Sequence, residues 1–180
     1  NRYIIEPERK TEVAASTEVL VAGGGIAGIA AALAAARHGK KVTLLERQFA
    51  LGGMATLGLI TIYLPLCDGM GNQLIYGIGE ELLRFSIRRA HEGTYPTAWL
   101  EGGTKEARTE KRFTAQFNPQ LFALDVEQLL RSLGVEILFG TLAVDAAVED
   151  GVIRHVIVEN KSGRTAIAVD SVIDCTGDAD

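Results

Sequence analysis

Short apolar runs and glycine-rich turns alternate at the beginning of the chain. Residues 18–22 form an apolar run of strand length that three glycines follow directly. Residues 26–38 are rich in alanine, carry larger apolar side chains at helical spacing, and precede Gly39, which suits a left-handed helix end. Residues 41–46 are a second, β-branched and leucine-rich run. The pattern predicts a strand, glycine turn, helix and strand joined by a right-handed crossover.

The middle of the chain has weaker periodicity. Residues 48–79 contain seven glycines without a sustained period, which predicts a loop held against a ligand. Residues 80–91 have apolar side chains at the spacing of an amphipathic helix. Residues 92–112 are polar, which predicts a flexible excursion of the chain. Near the N-terminus, residues 3–5 have weak strand character.

The last third of the chain predicts one helix and several strands. Asn118 is a good N-cap before Pro119, and the leucine-rich helix that follows should end at Gly134. Four strand-like runs joined by hairpin-type turns predict an antiparallel meander, and a further strand follows it. The runs of the meander are residues 135–139, 142–148, 152–159 and 165–169, and the further strand is residues 171–175.

The glycines after the first strand match the dinucleotide-binding pattern G-x-G-x-x-G. Gly23, Gly25 and Gly28 occupy the three glycine positions, which allow a tight turn, close approach of a pyrophosphate and close packing of helix on strand. Because the pattern lies between a predicted strand and a predicted helix, the helix N-terminus points where a diphosphate would bind. We therefore predict a dinucleotide site here rather than an ordinary glycine turn.

An acidic residue at the end of the second strand completes this pattern. Glu46 follows Gly28 by 18 residues, where a carboxylate accepts the ribose hydroxyls of an adenosine and disfavours a 2′-phosphate. Nicotinamide and flavin domains share these features, but a second glycine-rich element at residues 51–56 favours a longer cofactor. A nicotinamide-binding dehydrogenase domain, and a non-catalytic fragment that keeps the fold, remain as alternatives.

Residues 19–56 resemble the FAD-dependent oxidoreductases of the glutathione reductase-like superfamily. The resemblance continues in the double glycine of residues 51–54, in residues 134–137 before the meander, and in residues 172–178, where Cys175 replaces the usual alanine. It covers most of the chain and implies an α/β fold, a Rossmann-type FAD/NAD(P)-binding domain with a parallel sheet and an antiparallel β-meander.

The resemblance also implies FAD as cofactor and an enzyme that carries out flavin-mediated redox of a small molecule. No catalytic acid or base can be assigned from it. By this resemblance, the FAD diphosphate contacts Gly23, Gly25, Ile26, Ala27 and Gly28, and Gly177 and Asp178 close over it. The adenosine ribose contacts Glu46, Arg47 borders the adenine edge or nearby solvent, and the backbone near Ala143 meets adenine. The ribityl and flavin side contacts Gly53, Met54 and Thr56.

We expect residues 1–17 to be a lead-in and residues 18–180 to be the FAD-binding domain, incomplete at its C-terminus as an N-terminal portion of such a protein. A missing sheet strand would expose apolar surface and backbone edges, which predicts a homo-oligomer. The expected partners are a small-molecule substrate and an electron donor or acceptor.

Composition and charge narrow the function further. A net charge of −5 with dispersed basic residues excludes nucleic acid as the main partner. The longest near-continuous apolar stretch, residues 26–36, is about half the ~20 residues that cross a bilayer, so no membrane span is expected. Two cysteines suit a reducing compartment, and we expect a cytoplasmic protein.

Other reactive side chains have simpler interpretations. Cys67 has no second cysteine at redox-motif spacing, so a lone loop thiol is favoured over a redox thiol. The three histidines are far apart in the sequence, and no metal site is predicted. Trp99 and three tyrosines could stack on a flavin or fill space, and the sequence does not separate these roles. The tyrosines are at positions 63, 76 and 95.

Overall fold

The computed structural model describes residues 2–5, 7–89, 91–93 and 95–177. Its strands are β1 (Val13–Ala22), β2 (Val42–Glu46), β3 (His91–Glu92), β4 (Gln116–Phe117), β5 (Glu136–Phe139), β6 (Leu142–Glu149), β7 (Val152–Asn160) and β8 (Gly163–Asp174). Its helices are α1 (Ile26–Arg37), α2 (Ile78–Ser86), α3 (Thr97–Leu100), α4 (Lys105–Glu110) and α5 (Pro119–Ser132), with a short 3-10 turn at Gly53–Ala55. None of the helices in these residues has the length and apolar character that crossing a bilayer requires.

A six-stranded mixed sheet forms the centre of the structure. The strand order is β5-β2-β1-β8-β7-β6, in which β5, β2, β1 and β8 are parallel and β7 and β6 continue the sheet antiparallel. Strands β3 and β4 form a separate antiparallel pair. This arrangement confirms the predicted α/β fold, a parallel Rossmann-type sheet with an antiparallel β-meander.

The strand order reverses beside β1. The chain adds β2 and then β5 on one side of β1, whereas β8 lies on its other side. The carboxyl ends of β1 and β8 are in register, with Ala22 opposite Asp174. In open α/β sheets, a ligand binds outside the carboxyl ends of the strands where the order reverses. The topology alone therefore directs attention to the turn after β1.

The apolar run of β1 follows from burial on both faces of the sheet. Val21 lies in the larger core with the buried face of α1, which includes Ile29 and Leu33. Its neighbours Leu20 and Ala22 point the other way and pack against side chains of β7 and β8. Because successive strand residues alternate between faces, a strand covered on both sides must be apolar at every position.

The predicted meander is wrong at both of its ends. Residues 135–139 were assigned to it, but β5 pairs parallel with β2 in the main sheet. Residues 165–169 and 171–175 were assigned to separate strands, yet a single strand, β8, runs through Asp174. Apolar alternation shows that a strand is half-buried but does not identify its partner. Here the crossover through α5 makes β5 parallel, and one long strand serves both the meander and the parallel sheet.

Three further boundaries differ from the predictions. Strand β1 begins at Val13 rather than at residue 18, because β8 is long enough to pair with it from Val13 onwards. Residues 3–5 form no strand. Residues 92–112, predicted to be a flexible excursion, contain α3 and α4, and Trp99 of α3 is buried against Phe113. The high content of polar residues concealed this buried apolar side chain.

The helix-ending signals are confirmed. The Leu121 N–H donates to Asn118 Oδ1 at 3.0 Å, and Pro119 occupies the first turn of α5. Gly39 and Gly134 follow α1 and α5 with φ of 73° and 79°, the left-handed conformation that favours glycine. Helix α2 is also present, but it covers Ile78–Ser86 instead of the predicted residues 80–91, of which residue 90 lies outside the described residues.

We predict that Asn118→Ala lowers the free energy of unfolding by about 1 kcal/mol, because the first turn of α5 loses its side-chain cap. Urea unfolding followed by far-ultraviolet circular dichroism would measure the change. Gln120→Ala is the matched control, since Gln120 is exposed in the same helical turn and caps nothing. Equal effects of the two substitutions would contradict the capping role.

Candidate functional site

Two glycines of the pattern, Gly23 in the turn after β1 and Gly28 in α1, have no room for a side chain. Gly23 has φ of 104°, and a Cβ there would overlap the main-chain carbonyl of Cys175. A Cβ on Gly28 would overlap the carbonyl oxygen of Gly23. The first glycine therefore permits the turn beside β8, and the last permits α1 to pack directly on it. These are two of the three uses of glycine that the sequence pattern predicts.

Gly25, the middle glycine of the pattern, faces open space at the start of α1. Gly25 is the N-cap residue, and a methyl group on it would meet no other described atom within 4 Å. No side chain caps this helix, and its first turn contains no acidic residue. The first N–H groups of an α-helix lack partners within the helix, and the helix dipole makes this end positive. This end of α1 can therefore bind an anion.

A second glycine loop lies against the first. The Gly52 N–H donates to the Gly24 carbonyl at 2.8 Å, and a methyl group on Gly53 would lie 3.2 Å from the Cα of Gly25. Both Gly52 and Gly53 have positive φ. The two loops, residues 23–25 and 52–53, form one continuous surface of main chain at the N-terminus of α1, which we call the glycine cradle.

Thr56 and Met54 have different environments beside the glycine cradle. The Thr56 side chain is buried, and its hydroxyl donates to the Leu51 carbonyl at 2.6 Å, so it closes the loop from within. Met54 is exposed. The predicted contact of Thr56 with the flavin side would therefore be made by its main chain, because its hydroxyl is already engaged.

Glu46 holds the glycine cradle in place from behind. Its carboxylate is 7% exposed, with Oε2 accepting from the Gly24 N–H at 2.9 Å and Oε1 from the Gln48 N–H at 2.7 Å. A carboxylate oxygen can accept two hydrogen bonds, so each retains acceptor capacity. The sequence predicted a carboxylate here but missed its two main-chain donors. The sequence signal for the Gly24 donor is the glycine itself, because a Cβ at this position would overlap Leu51 and Glu46.

Main-chain hydrogen bonds bring two further predicted segments to the same sheet edge. The Thr141 N–H donates to the Glu46 carbonyl at 3.1 Å, which brings Ala143 of β6 towards Glu46 and the exposed Arg47. The Cys175 N–H donates to the Ala22 carbonyl at 2.8 Å, which brings the end of β8 to the turn after β1. The described residues of the predicted site thus converge from five separate parts of the sequence.

The segment that follows β8 contains the last predicted site residues. Gly177 has φ of 103° and follows this strand end, whereas the predicted contact residue Asp178 lies outside the described residues. Burial raises the pKa of the Cys175 thiol, and the neighbouring Asp174 carboxylate raises that pKa further, so the thiol is neutral at physiological pH. A neutral, small side chain fits the position where the resembling family has alanine.

Other candidates lie outside the glycine cradle. Trp99 stacks on Phe113 with ring centroids 5.1 Å apart and fills the core, which decides its role in favour of packing. Tyr63 packs in a tilted arrangement on Phe117. The Cys67 thiol accepts a hydrogen bond from the Phe113 N–H at 3.2 Å, and both cysteines of the chain are free. These contacts are packing and hydrogen-bonding contacts of Trp99, Tyr63 and Cys67 within the fold.

Comparison with known proteins gives a family for this geometry. The family model described as FAD dependent oxidoreductase matches residues 18–180. Thioredoxin reductase of Ureaplasma parvum serovar 3 is 32% identical over 75 residues, which are 42% of this chain and 24% of that protein. The match with the reductase therefore concerns a part of each protein.

Solved structures show the same fold at low identity. THI4 of Thermovibrio ammonificans superposes with a TM-score of 0.59 at 18% identity, over 90% of this chain and 58% of that one. The 3-ketosteroid-delta4-(5alpha)-dehydrogenase of Rhodococcus jostii RHA1 gives a TM-score of 0.60 at 17% identity, over 91% of this chain and 46% of that one. This chain thus spans about half the length of these proteins.

The family match extends from β1 through the end of β8 and so includes every segment that contributes to the glycine cradle. It confirms the resemblance that the glycine pattern, the acidic residue and the second glycine loop indicated. The chain belongs to the FAD dependent oxidoreductase family.

Proposed function

We propose that this chain binds FAD in the glycine cradle and forms the FAD-binding part of an enzyme that oxidises or reduces a small molecule. The observation that carries the proposal is the contact between the two glycine loops at the uncapped N-terminus of α1, where the strand order reverses. An extended surface of main chain suits a long dinucleotide better than a single glycine turn does.

The open space at Gly25 leaves room for the diphosphate of a dinucleotide. A diphosphate needs close approach of the backbone, and a methyl group on Gly25 would occupy space that no described atom fills. The half-buried Ile26 and the exposed Ala27 leave the first turn of α1 accessible. We assign the diphosphate to the main chain of Gly23, Gly25, Ile26, Ala27 and Gly28.

The remaining contacts follow from the two sides of the glycine cradle. Glu46 has acceptor capacity for the ribose hydroxyls, and Arg47 with the backbone of Ala143 borders the adenine side. Gly53, Met54 and the main chain of Thr56 extend towards the ribityl and flavin side. Gly177 and Asp178 are proposed to close over the diphosphate.

Bound FAD would supply the redox chemistry by accepting or donating a hydride or electrons. The chain itself binds and orients: the N-terminus of α1 offsets the diphosphate charge, and Glu46 fixes both the turn and the ribose. Leu51 and Thr56 are buried behind the second loop and keep its backbone in place. No residue of the chain is assigned as a catalytic acid or base.

The partners proposed for the whole protein are a small-molecule substrate and an electron donor or acceptor, because flavin chemistry requires both. The two free cysteines fit a reducing compartment, and we propose the cytoplasm. A homo-oligomer remains a prediction.

The absorbance spectrum of the purified protein tests the proposed cofactor most directly. We expect the two visible and near-ultraviolet flavin bands, and FAD as the compound released on denaturation. A colourless protein that also fails to take up added FAD would overturn the proposal. Binding of NADH in place of FAD, seen as fluorescence energy transfer, would favour the nicotinamide alternative.

We predict that Gly25→Ala weakens FAD binding while the protein stays folded. Gly25 has φ of −68°, which alanine adopts freely, and its methyl group would meet no described atom in the unliganded chain. Placing that group where the diphosphate approaches should raise the Kd for FAD at least tenfold, with a change in unfolding free energy within about 1 kcal/mol. Flavin fluorescence titration and urea unfolding would measure the two effects.

Gly28→Ala is the matched comparison, because its Cβ would overlap the Gly23 carbonyl. It should destabilise the fold by about 3 kcal/mol through overpacking. A Gly25→Ala variant that binds FAD like the unmodified chain would show that the diphosphate does not lie at this turn.

A further inference from the structure

The loop that follows Gly53 is apolar and faces solvent. Residues 54–60 contain no charged side chain, and the four large ones, Met54, Leu57, Leu59 and Ile60, are all exposed. Single exposed apolar residues are ordinary, but a contiguous group of them marks a contact with a ligand or partner. We call residues 54–60 the apolar loop.

Leu59 is the unusual member of the apolar loop because its backbone is left-handed. Its φ is 56°, a region that a bulky L-residue enters only at a cost in energy. Its side chain is 67% exposed, so burial within the chain does not offset that cost. A left-handed backbone that carries an exposed apolar side chain is a candidate for a ligand contact, because strained residues cluster at ligand-binding sites.

One other non-glycine residue of the described chain has positive φ, and its setting is ordinary. Asp150 has φ of 50° and precedes Gly151 in the hairpin between β6 and β7. Aspartate tolerates this conformation, and two-residue hairpin turns require it. Leu59 is neither a tolerant residue type nor part of a hairpin. Its N–H donates to the Thr56 carbonyl at 3.2 Å, so a leucine occupies a turn position that glycine, asparagine or aspartate would fill without strain.

Main-chain hydrogen bonds fix the apolar loop to the glycine cradle. The Gly58 N–H donates to the Gly53 carbonyl at 3.1 Å, and the Ile60 N–H donates to the Met54 carbonyl at 2.9 Å. Gly53 in turn is packed against Gly25. Leu59 therefore belongs to a closed loop whose base is the glycine cradle, next to the segment proposed for the flavin side.

We propose that Leu59 is an FAD-contacting residue whose left-handed backbone presents its side chain to the isoalloxazine end of the cofactor. This inference rests on the proposed function. The isoalloxazine is the large apolar part of FAD, and covering it would bury the exposed leucine and keep water from that part of the ring. The absence of charge in the apolar loop matches an uncharged aromatic surface.

The test compares two ligands on three variants of the whole chain. FAD carries the isoalloxazine, whereas ADP carries only the adenosine and diphosphate. Leu59→Ala removes the side chain and keeps the strain, and Leu59→Gly removes both. Asp150→Gly is the matched control, since it relieves the same backbone conformation in the β6–β7 hairpin. Calorimetric titration gives the Kd for each ligand, and thermal unfolding gives the Tm of each unliganded variant.

We expect both Leu59 variants to bind FAD about tenfold more weakly than the unmodified chain, because one leucine loses its burial. Their affinity for ADP should be unchanged, and Asp150→Gly should alter neither affinity. The unliganded Leu59→Gly variant should have a Tm at or above that of Leu59→Ala, since glycine adopts positive φ without strain.

Other outcomes separate the two proposals. If the unmodified chain binds FAD and the Leu59 variants bind it equally well, Leu59 does not contact the cofactor, while the proposed function stands. Equal weakening of FAD and ADP would assign Leu59 a role in the fold and overturn the contact. If the unmodified chain binds no FAD, the proposed function and this inference both fail.

Discussion

The site depends on a contact that leaves no room for a side chain, the one between Gly28 of α1 and the carbonyl of Gly23. This contact brings the helix against the end of β1 and directs its uncapped N-terminus at the turn. The turn is then shared with β8 through Cys175 and with the second glycine loop through Gly24 and Gly52. Main-chain contacts at Gly23, Gly28 and Gly52, together with the Glu46 carboxylate on the Gly24 N–H, therefore set the position of this end of α1.

Glu46 holds the glycine turn through a hydrogen bond, and its carboxylate also has acceptor capacity for a ligand. A carboxylate that is almost fully buried is costly unless hydrogen bonds satisfy it, and two main-chain N–H groups do so here. The same residue ends β2, whose four preceding residues are buried and fix its height in the sheet. Its position is therefore determined before any ligand binds, which is the pre-organisation that the proposed recognition of ribose hydroxyls requires.

The sequence predicted the parts of the fold that local chemistry determines. The glycine turn, the capped start of α5 at Asn118 and the left-handed Gly39 each depend on residues close in sequence. Strand partners depend on distant residues, so β5 was assigned to the meander although α5 carries the chain back to a parallel position beside β2. The positive φ of Leu59 had no sequence signal at all, since leucine is the wrong residue type for it.

The low identity at which this fold recurs is consistent with a turn built from main chain. A turn that needs glycine at a few positions, and a carboxylate at the end of one strand, constrains little of the remaining sequence. Solved structures at 17 and 18% identity accordingly superpose over about nine-tenths of this chain. The exposed apolar residues between Met54 and Tyr76 lie outside this main-chain turn. In the proposed function, the main-chain turn binds the diphosphate, and the exposed apolar residues that directly follow Gly53 border the flavin side.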